Sequence, residues 1–431
     1  MVDVAETSKD TLISLGEKDS ASKLTNDKNL LISGSTNHDI AYDKDNDDIK
    51  VNVKEHFIGK EEEVKYGHLD KIYQSIYSAD KVGLMAPSST LKDKTKDEAI
   101  KAQLEFYGKI YHSTPYAYTH KISKKSAELI TDSLMLNDGM PEVNSWRFGG
   151  SIAGRELENS ENFYGNNYYN GIDVGNTEVK AETNIYGAYA FGEYGFEEGK
   201  AVGFAVAGSK SDTDIGSSSL KGNNVFVSAY VKQDINNVNM IAGIGYQRGF
   251  YDATRNVSNA YQSMQVEKDF EDNTFVGYFG AKYRYDFGNN FYLEPNGELK
   301  LTHSIQDDIK EDNRGDLSIE VDNKDFTSVD GELGVNLGKR IATENGVLNL
   351  KAGVSVNYAL LGNDEEYLNA RITGSTKDFT MISPEDEDRA KVNVLLKAEY
   401  QANNGMYYDV HYKTTTDNDD YSVGFGVGYK F

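Results

Sequence analysis

Cysteine is missing from this chain, and that absence excludes a disulfide framework and any thiolate metal site. Proline is scarce, 5 in 431 residues, so little interrupts extended segments. Positive charge is outweighed: the formal net charge of -24 argues against a nucleic-acid backbone as partner, because that needs clustered Lys and Arg. Acidity fits a surface facing water or the cations that bridge lipopolysaccharide. No run approaches 18 apolar residues, so no transmembrane helix is expected. The first nineteen residues, MVDVAETSKDTLISLGEKD, lack a basic stretch followed by an apolar one, so no signal peptide is read there. A secreted chain needs one, which leads us to expect a fragment or a start farther upstream.

Tyrosine (30) and glycine (40) are abundant, a composition suited to many strands, aromatic belts and tight turns. The clearest pattern is the terminal Tyr421 to Phe431, where Tyr421, Val423, Phe425, Val427, Tyr429 and Phe431 alternate with Ser, Gly and Lys. Strict period-2 alternation is a strand with one apolar face, and its length matches the roughly 9 to 11 residues a tilted strand needs to cross a bilayer.

The same period runs from residue 145 onward and predicts twelve strands: 145–156, 183–194, 200–209, 223–233, 238–249, 273–287, 290–302, 326–338, 346–359, 391–401, 406–414 and 420–431. Short links are expected after the even strands. Longer loops, at 157–182, 210–222, 250–272, 303–325 and 360–390, are expected after the odd ones apart from the last hairpin. This alternation of turns and loops is that of an outer-membrane barrel with both ends on the periplasmic side. The expected fold is therefore all-β, a 12-stranded antiparallel transmembrane β-barrel behind an N-terminal α-helical linker. Three regions follow: an acidic extension or passenger remnant over 1–95, a helical linker over 96–144, and the barrel over 145–431.

Helical spacing is read at 64–81 (Leu69, Ile72, Tyr73, Ile76, Tyr77), at 95–111 (Ile100, Leu104, Tyr107, Tyr111), and after Pro115 through Ile122, Leu129, Ile130, Leu134 and Met135. The last helix should stop near Asn137-Asp138-Gly139. Asn137 and Asp138 carry two readings, a helix cap and a site where the asparagine side chain attacks its own carbonyl and cuts the linker.

Inward parity assigns Arg147, Arg155, Lys282, Arg284, Glu294, Glu298, Asp330, Glu332, Lys351, Lys397, Glu399, Asp409, His411 and Lys413 to a polar lumen that contacts water or a plugging segment; the alternative is the solvated face of ordinary strands. No GxSxG, HExxH or P-loop is present. Gly243 to Gly249 only approaches GxGxxG, and Asp43-x-Asp45-x-Asp47 lacks the turn glycine and final glutamate of a calcium loop. Asp409 and His411 could be drawn with some serine as an esterase site, but nothing selects the serine. No catalysis, cofactor or metal is expected.

The helical linker, the twelve strands and the terminal Gly424 to Phe431 together resemble the translocator domain of monomeric (type Va) autotransporters. That resemblance implies insertion in the bacterial outer membrane by the barrel assembly machinery, with Tyr429 and Phe431 in the C-terminal assembly signal. It implies a monomer in lipid and lipopolysaccharide, a passenger delivered to the cell surface, and a periplasmic C-terminus. It places the segment Lys121 to Leu136 inside the pore, with Gly149, Gly353, Gly424, Gly426 and Gly428 leaving space for it. A porin or adhesin barrel whose extracellular loops bind ligands is the alternative, with an outer-membrane hydrolase third.

Overall fold

The computed structural model describes residues 10–13, 38–43, 48–53, 55–56, 63–81 and 96–431, apart from 163–167, 170–171, 174–177, 259–262, 313–316, 363–365, 384–388 and 417–418. Asp45 and Asp47 of the acidic run lie outside these residues. Near the start, short strands Asp10–Ile13, His38–Asp43 and Asp48–Val53 form one antiparallel sheet.

Among the described residues three helices precede the barrel: α1, Glu63–Ser78; α2, Lys96–His112; and, after a 3-10 turn at Pro115–Tyr118, α3, Thr119–Met135. Pro115 opens that turn because it lacks an N–H a helix interior would need. The barrel strands are β1, Trp146–Asn162; β2, Glu178–Glu197; β3, Lys200–Ile215; β4, Ser218–Ile235; β5, Val238–Ser258; and β6, Ser263–Tyr283. They continue as β7, Phe291–Gln306; β8, Lys324–Thr343; β9, Gly346–Leu361; β10, Ala390–Ala402; β11, Met406–Thr415; and β12, Asp420–Lys430.

Each strand pairs antiparallel with the next, and β12 closes on β1 from Asp420↔Leu157 to Lys430↔Arg147. Closure removes the free edges that unpaired backbone would expose. The outward face is apolar at alternate positions, as at Leu333, Val335 and Leu337 of β8 or Val354, Val356 and Tyr358 of β9. Trp146, Phe148, Tyr429 and Phe431 cluster at the turn end, where the Phe431 N–H donates to the Trp146 carbonyl at 3.1 Å. Asn289 and Asn290 turn there with φ of 53° and 63°, the left-handed pair a two-residue hairpin turn needs.

All twelve expected strands are present, but two expected loops are not loops. Residues 210–222 and 250–272 are largely strand, because β3–β4 and β5–β6 continue past the apolar band as ladders. Their inward positions Ile215, Leu220, Tyr251, Ala253 and Val257 are buried, while outward Asp212, Asp214 and Lys221 face water. Polar outward residues disguised these ladders as loops.

The inner faces of these extensions support a cap over the loop end. Strands Ile309–Lys310, Ile319–Val321, Glu366–Ile372 and Phe379–Ser383, all from the two connections β7–β8 and β9–β10, form a four-stranded sheet on which α1 and α2 pack. Tyr73 of α1 and Tyr107 of α2 meet edge to face at 6.2 Å, so the expected boundary at 95 falls between two helices with one core. Ser75 Oγ accepts the Ile372 N–H at 3.0 Å, tying α1 to the loop sheet.

Candidate functional site in the barrel lumen

The barrel is occupied by α3, and its two faces meet two different walls. Ala127, Ile130, Leu134 and Met135 pack against inward Tyr189, Phe191, Phe226, Tyr230, Ile241 and Val276 of β2 and β4–β6. The Gly187 position admits this face, since a Cβ there would lie 3.3 Å from Ile130.

The opposite face is ionic. Lys124 reaches Asp330 of β8 at 2.7 Å, and Glu128 accepts from Arg155 of β1 at 3.1 Å. Arg155 is itself held by Asp420, whose Oδ1 lies 2.8 Å from its Nε. Asp132 pairs with Lys300 of β7. Near the start of α3, Ser123 Oγ bonds Tyr251 and Asp272, and Gln247 donates to the Ser123 carbonyl at 3.0 Å. Buried charges persist in such a wall only when each faces a partner.

The helix ends in a basket of lysines. Lys282 Nζ donates to the Met135 carbonyl at 2.6 Å, Lys397 to Leu136 at 2.5 Å and Lys232 to Asn137 at 2.9 Å. Asp138 lies 2.8 Å from both Lys282 and Lys351, and 3.5 Å from Lys397. These carbonyls have no partner within the helix, which is why its end attracts cations. Beside it, Arg147 Nη2 donates to Asn137 Oδ1 at 2.7 Å and Nη1 to Glu193 at 3.0 Å. The Asn137 N–H bonds the Leu134 carbonyl at 3.2 Å, the geometry of a helix cap.

Of the candidate lumen residues, Arg155, Lys282, Asp330 and Lys397 touch the threaded segment, and Arg147 and Lys351 touch Asn137 to Gly139 just after it. Others pair within the wall: Arg284 and Lys351 with Glu294, Glu298 with Lys300, Lys413 with Glu332, and Glu399 with Lys397. His411 Nδ1 faces Asp409 at 3.6 Å, and among the described residues no serine bonds that nitrogen. Lys232, Glu193 and Lys300 escaped the sequence reading, although Lys232 shares the inward parity of Tyr230 and Lys300 that of Glu298.

The glycines expected to make room for the helix do something else. A Cβ at Gly149 or Gly428 would meet the Tyr407 hydroxyl at 2.0 or 2.1 Å, one at Gly424 the His411 ring at 2.2 Å, and one at Gly426 the Asp409 carboxylate at 2.2 Å. Gly353 likewise accommodates Asn336 of β8. They accept inward side chains of neighbouring strands: β11 faces β12 residue for residue, Asn336 of β8 faces Gly353, and the Tyr407 ring reaches over Gly428 to Gly149 of β1.

A closed twelve-stranded barrel with an apolar outside and its own chain in the lumen is a transmembrane barrel that carries a segment through its pore. Residues 162–413, more than half the chain, match the autotransporter β-domain family, and the chain belongs to that family. Its fold is similar to the translocator domain of the autotransporter NalP from Neisseria meningitidis, with a TM-score of 0.52 at 14% identity, covering 74% of this chain and 99% of that one. Similar too are the β domain of the Bordetella autotransporter BrkA (TM-score 0.47, 15% identity, 67% and 100% covered) and the transport unit of AIDA-I from Escherichia coli (0.45, 12%, 74% and 99%). This is an outer-membrane translocator domain that presents an N-terminal passenger segment at the cell surface. The turn end of the barrel is periplasmic and the cap lies outside.

Proposed function

We propose that the chain exports its passenger without catalytic turnover and then remains as a sealed anchor, with α3 as the plug and the cap as the outer closure. The observation that carries this reading is the complementary fit of α3, apolar toward β2–β6 and ionic toward Arg155 of β1, Lys300 of β7 and Asp330 of β8. The barrel assembly machinery would receive the β12 strand with Phe431 at its end, and lipopolysaccharide would surround the outer rim. Planar-bilayer conductance tests the plug: the intact chain should pass little current, and deletion of residues 121–136 should open large, stable steps. Equal conductance from both would refute the plug and favour a porin.

A second reading concerns the linker. Lys232 Nζ, 2.9 Å from the Asn137 carbonyl oxygen, would polarise the carbonyl that an attacking asparagine amide must reach. A mature chain of full mass would support an uncut tether, whereas a barrel fragment beginning at Asp138 would support cleavage.

A further inference from the structure

Seven residues, 136–142, connect the end of α3 to the rim anchor that precedes β1. Their far end is pinned at the periplasmic rim, where Val143 pairs with Gly195 and the Asn144 N–H donates to the Gly195 carbonyl at 2.7 Å. Extended, they could reach about 23–25 Å, whereas Leu136 and Asn137 are still drawn into the last helical turn by bonds from Leu136 to the Asp132 carbonyl and from Asn137 to the Leu134 carbonyl. Chain length alone therefore does not stop α3 from rising farther toward the surface.

What holds it is the set of lysines. Three successive carbonyls, Met135, Leu136 and Asn137, each take an ammonium from a different strand, and the Asp138 carboxylate takes three. We propose that Lys232, Lys282, Lys351 and Lys397 form an export stop, a receptor for a helix C-terminus followed by an acid, which arrests outward movement with Asp138 in the basket. This rests on the translocator reading of the lumen.

The selectivity follows from backbone chemistry. Carbonyls in the body of a helix already accept from the N–H four residues on, so a helix passing the lysines offers them little. Only its last turn presents free carbonyls at the negative end of the dipole. Asp138 then supplies an anion shared by three buried ammoniums, those of Lys282, Lys351 and Lys397. Movement beyond this point would strip both kinds of partner from the basket at once.

The absence of native cysteine makes disulfide mapping a clean test in outer membranes. Asn224 Nδ2 lies 3.3 Å from Ser126 Oγ, so Ser126→Cys with Asn224→Cys reports the native register. Ile130→Cys with Asn224→Cys reports a shift of one turn outward, about 5.4 Å, and Ile122→Cys with Asn224→Cys a shift inward. In the parent, the 126/224 pair should dominate. In a Lys282→Gln, Lys351→Gln, Lys397→Gln background, the ratio of 130/224 to 126/224 should rise about tenfold or more, as expected for loss of interactions worth a factor of ten in equilibrium. Asp138→Asn should shift the ratio the same way by less, and it decides the question should the triple variant fail to show heat-modifiable folding. An unchanged register, or a gain at 122/224, would overturn the stop. A folded parent in which no pair closes would instead overturn the lumen reading itself.

Discussion

The cap should come loose from the barrel when one carboxylate is removed. Glu311, on the β7–β8 connection, accepts four hydrogen bonds: from Arg255 Nε at 2.7 Å, Arg255 Nη2 at 2.6 Å, the Tyr116 hydroxyl at 2.9 Å and the Ile319 N–H at 2.8 Å. It thereby joins a barrel strand, a surface loop and the turn that leads into the pore helix. Arg255 is 1% exposed, so Glu311→Ala leaves a guanidinium buried without its counter-charge. Breaking such a pair costs about 3–5 kcal/mol, which is about 150- to 5,000-fold in the ratio of open to closed cap. Hydrogen exchange on the protein in lipid vesicles reads this directly. Amides of Glu366–Ile372 and Ile319–Val321 should exchange faster by that factor, while β1–β12 amides within the apolar band keep their protection. Arg255→Met with Glu311→Leu, which removes both charges and refills the volume, should restore most of the protection. Unchanged exchange in Glu311→Ala would show that the cap does not depend on this junction.

Other perturbations probe the seam, the histidines and the last residue. Gly428→Val should lower the fraction of heat-modifiable barrel, since its side chain must displace the Tyr407 ring, and Tyr407→Gly in the same chain should recover part of it; normal folding of Gly428→Val alone would refute the packing. His112 of α2 is lowered to about 3 by burial and by His68 and Lys109, and His68 of α1 to about 4 by burial and Lys71. An opened cap would bind protons that the closed cap refuses, so cap stability is full above about pH 6.5 and declines as pH falls toward 4. The loss is about 2 kcal/mol per histidine at pH 5; equal protection factors for α2 amides at pH 7.5 and 5, each referred to the intrinsic exchange rate at that pH, would contradict it. Deleting Phe431 removes its bond to the Trp146 carbonyl and its contacts with Phe148 and Tyr429, and the folded fraction in cells should fall.

The barrel was legible because lipid imposes a period on the sequence. Val423, Phe425 and Val427 had to be apolar outside, and the opposite parity had to hold whatever the lumen contains. The pore helix was legible for a similar reason, since Ile130 and Leu134 repeat at helical spacing. Pairing was not, because it depends on register: that Tyr407 covers Gly149 and Gly428 follows only once β11, β12 and β1 are aligned. The cap was hidden more thoroughly. Ile319, Leu368 and Phe379 lie in short segments of different loops, and no one of them shows a period until α1 and α2 bring them together. Lys232 is not legible as a lumen residue, because nothing in the strand pattern places a carbonyl opposite its ammonium.

The division of the lumen into an apolar and an ionic sector explains how one short helix can be both formed and oriented there. A helix the length of α3 is marginal in water on its own, because nucleation fixes several residues for one hydrogen bond. In the lumen, Ile130 and Leu134 gain burial against Phe226 and Val276 while Lys124, Glu128 and Asp132 meet opposite charges. Rotating α3 by half a turn would press those three charges onto the aromatic wall and bare its apolar face to Arg155, Lys300 and Asp330. The penalty for burying even one charge without a partner exceeds what burial of a single leucine contributes. The barrel thus selects one rotational phase, and the lysine basket selects one height. An extended chain in transit offers single carbonyls but neither a fixed amphipathic phase nor a dipole-aligned run of carbonyls followed by an acid, so it can slide, whereas the first segment that is helical, amphipathic in the right phase and followed by an acid comes to rest.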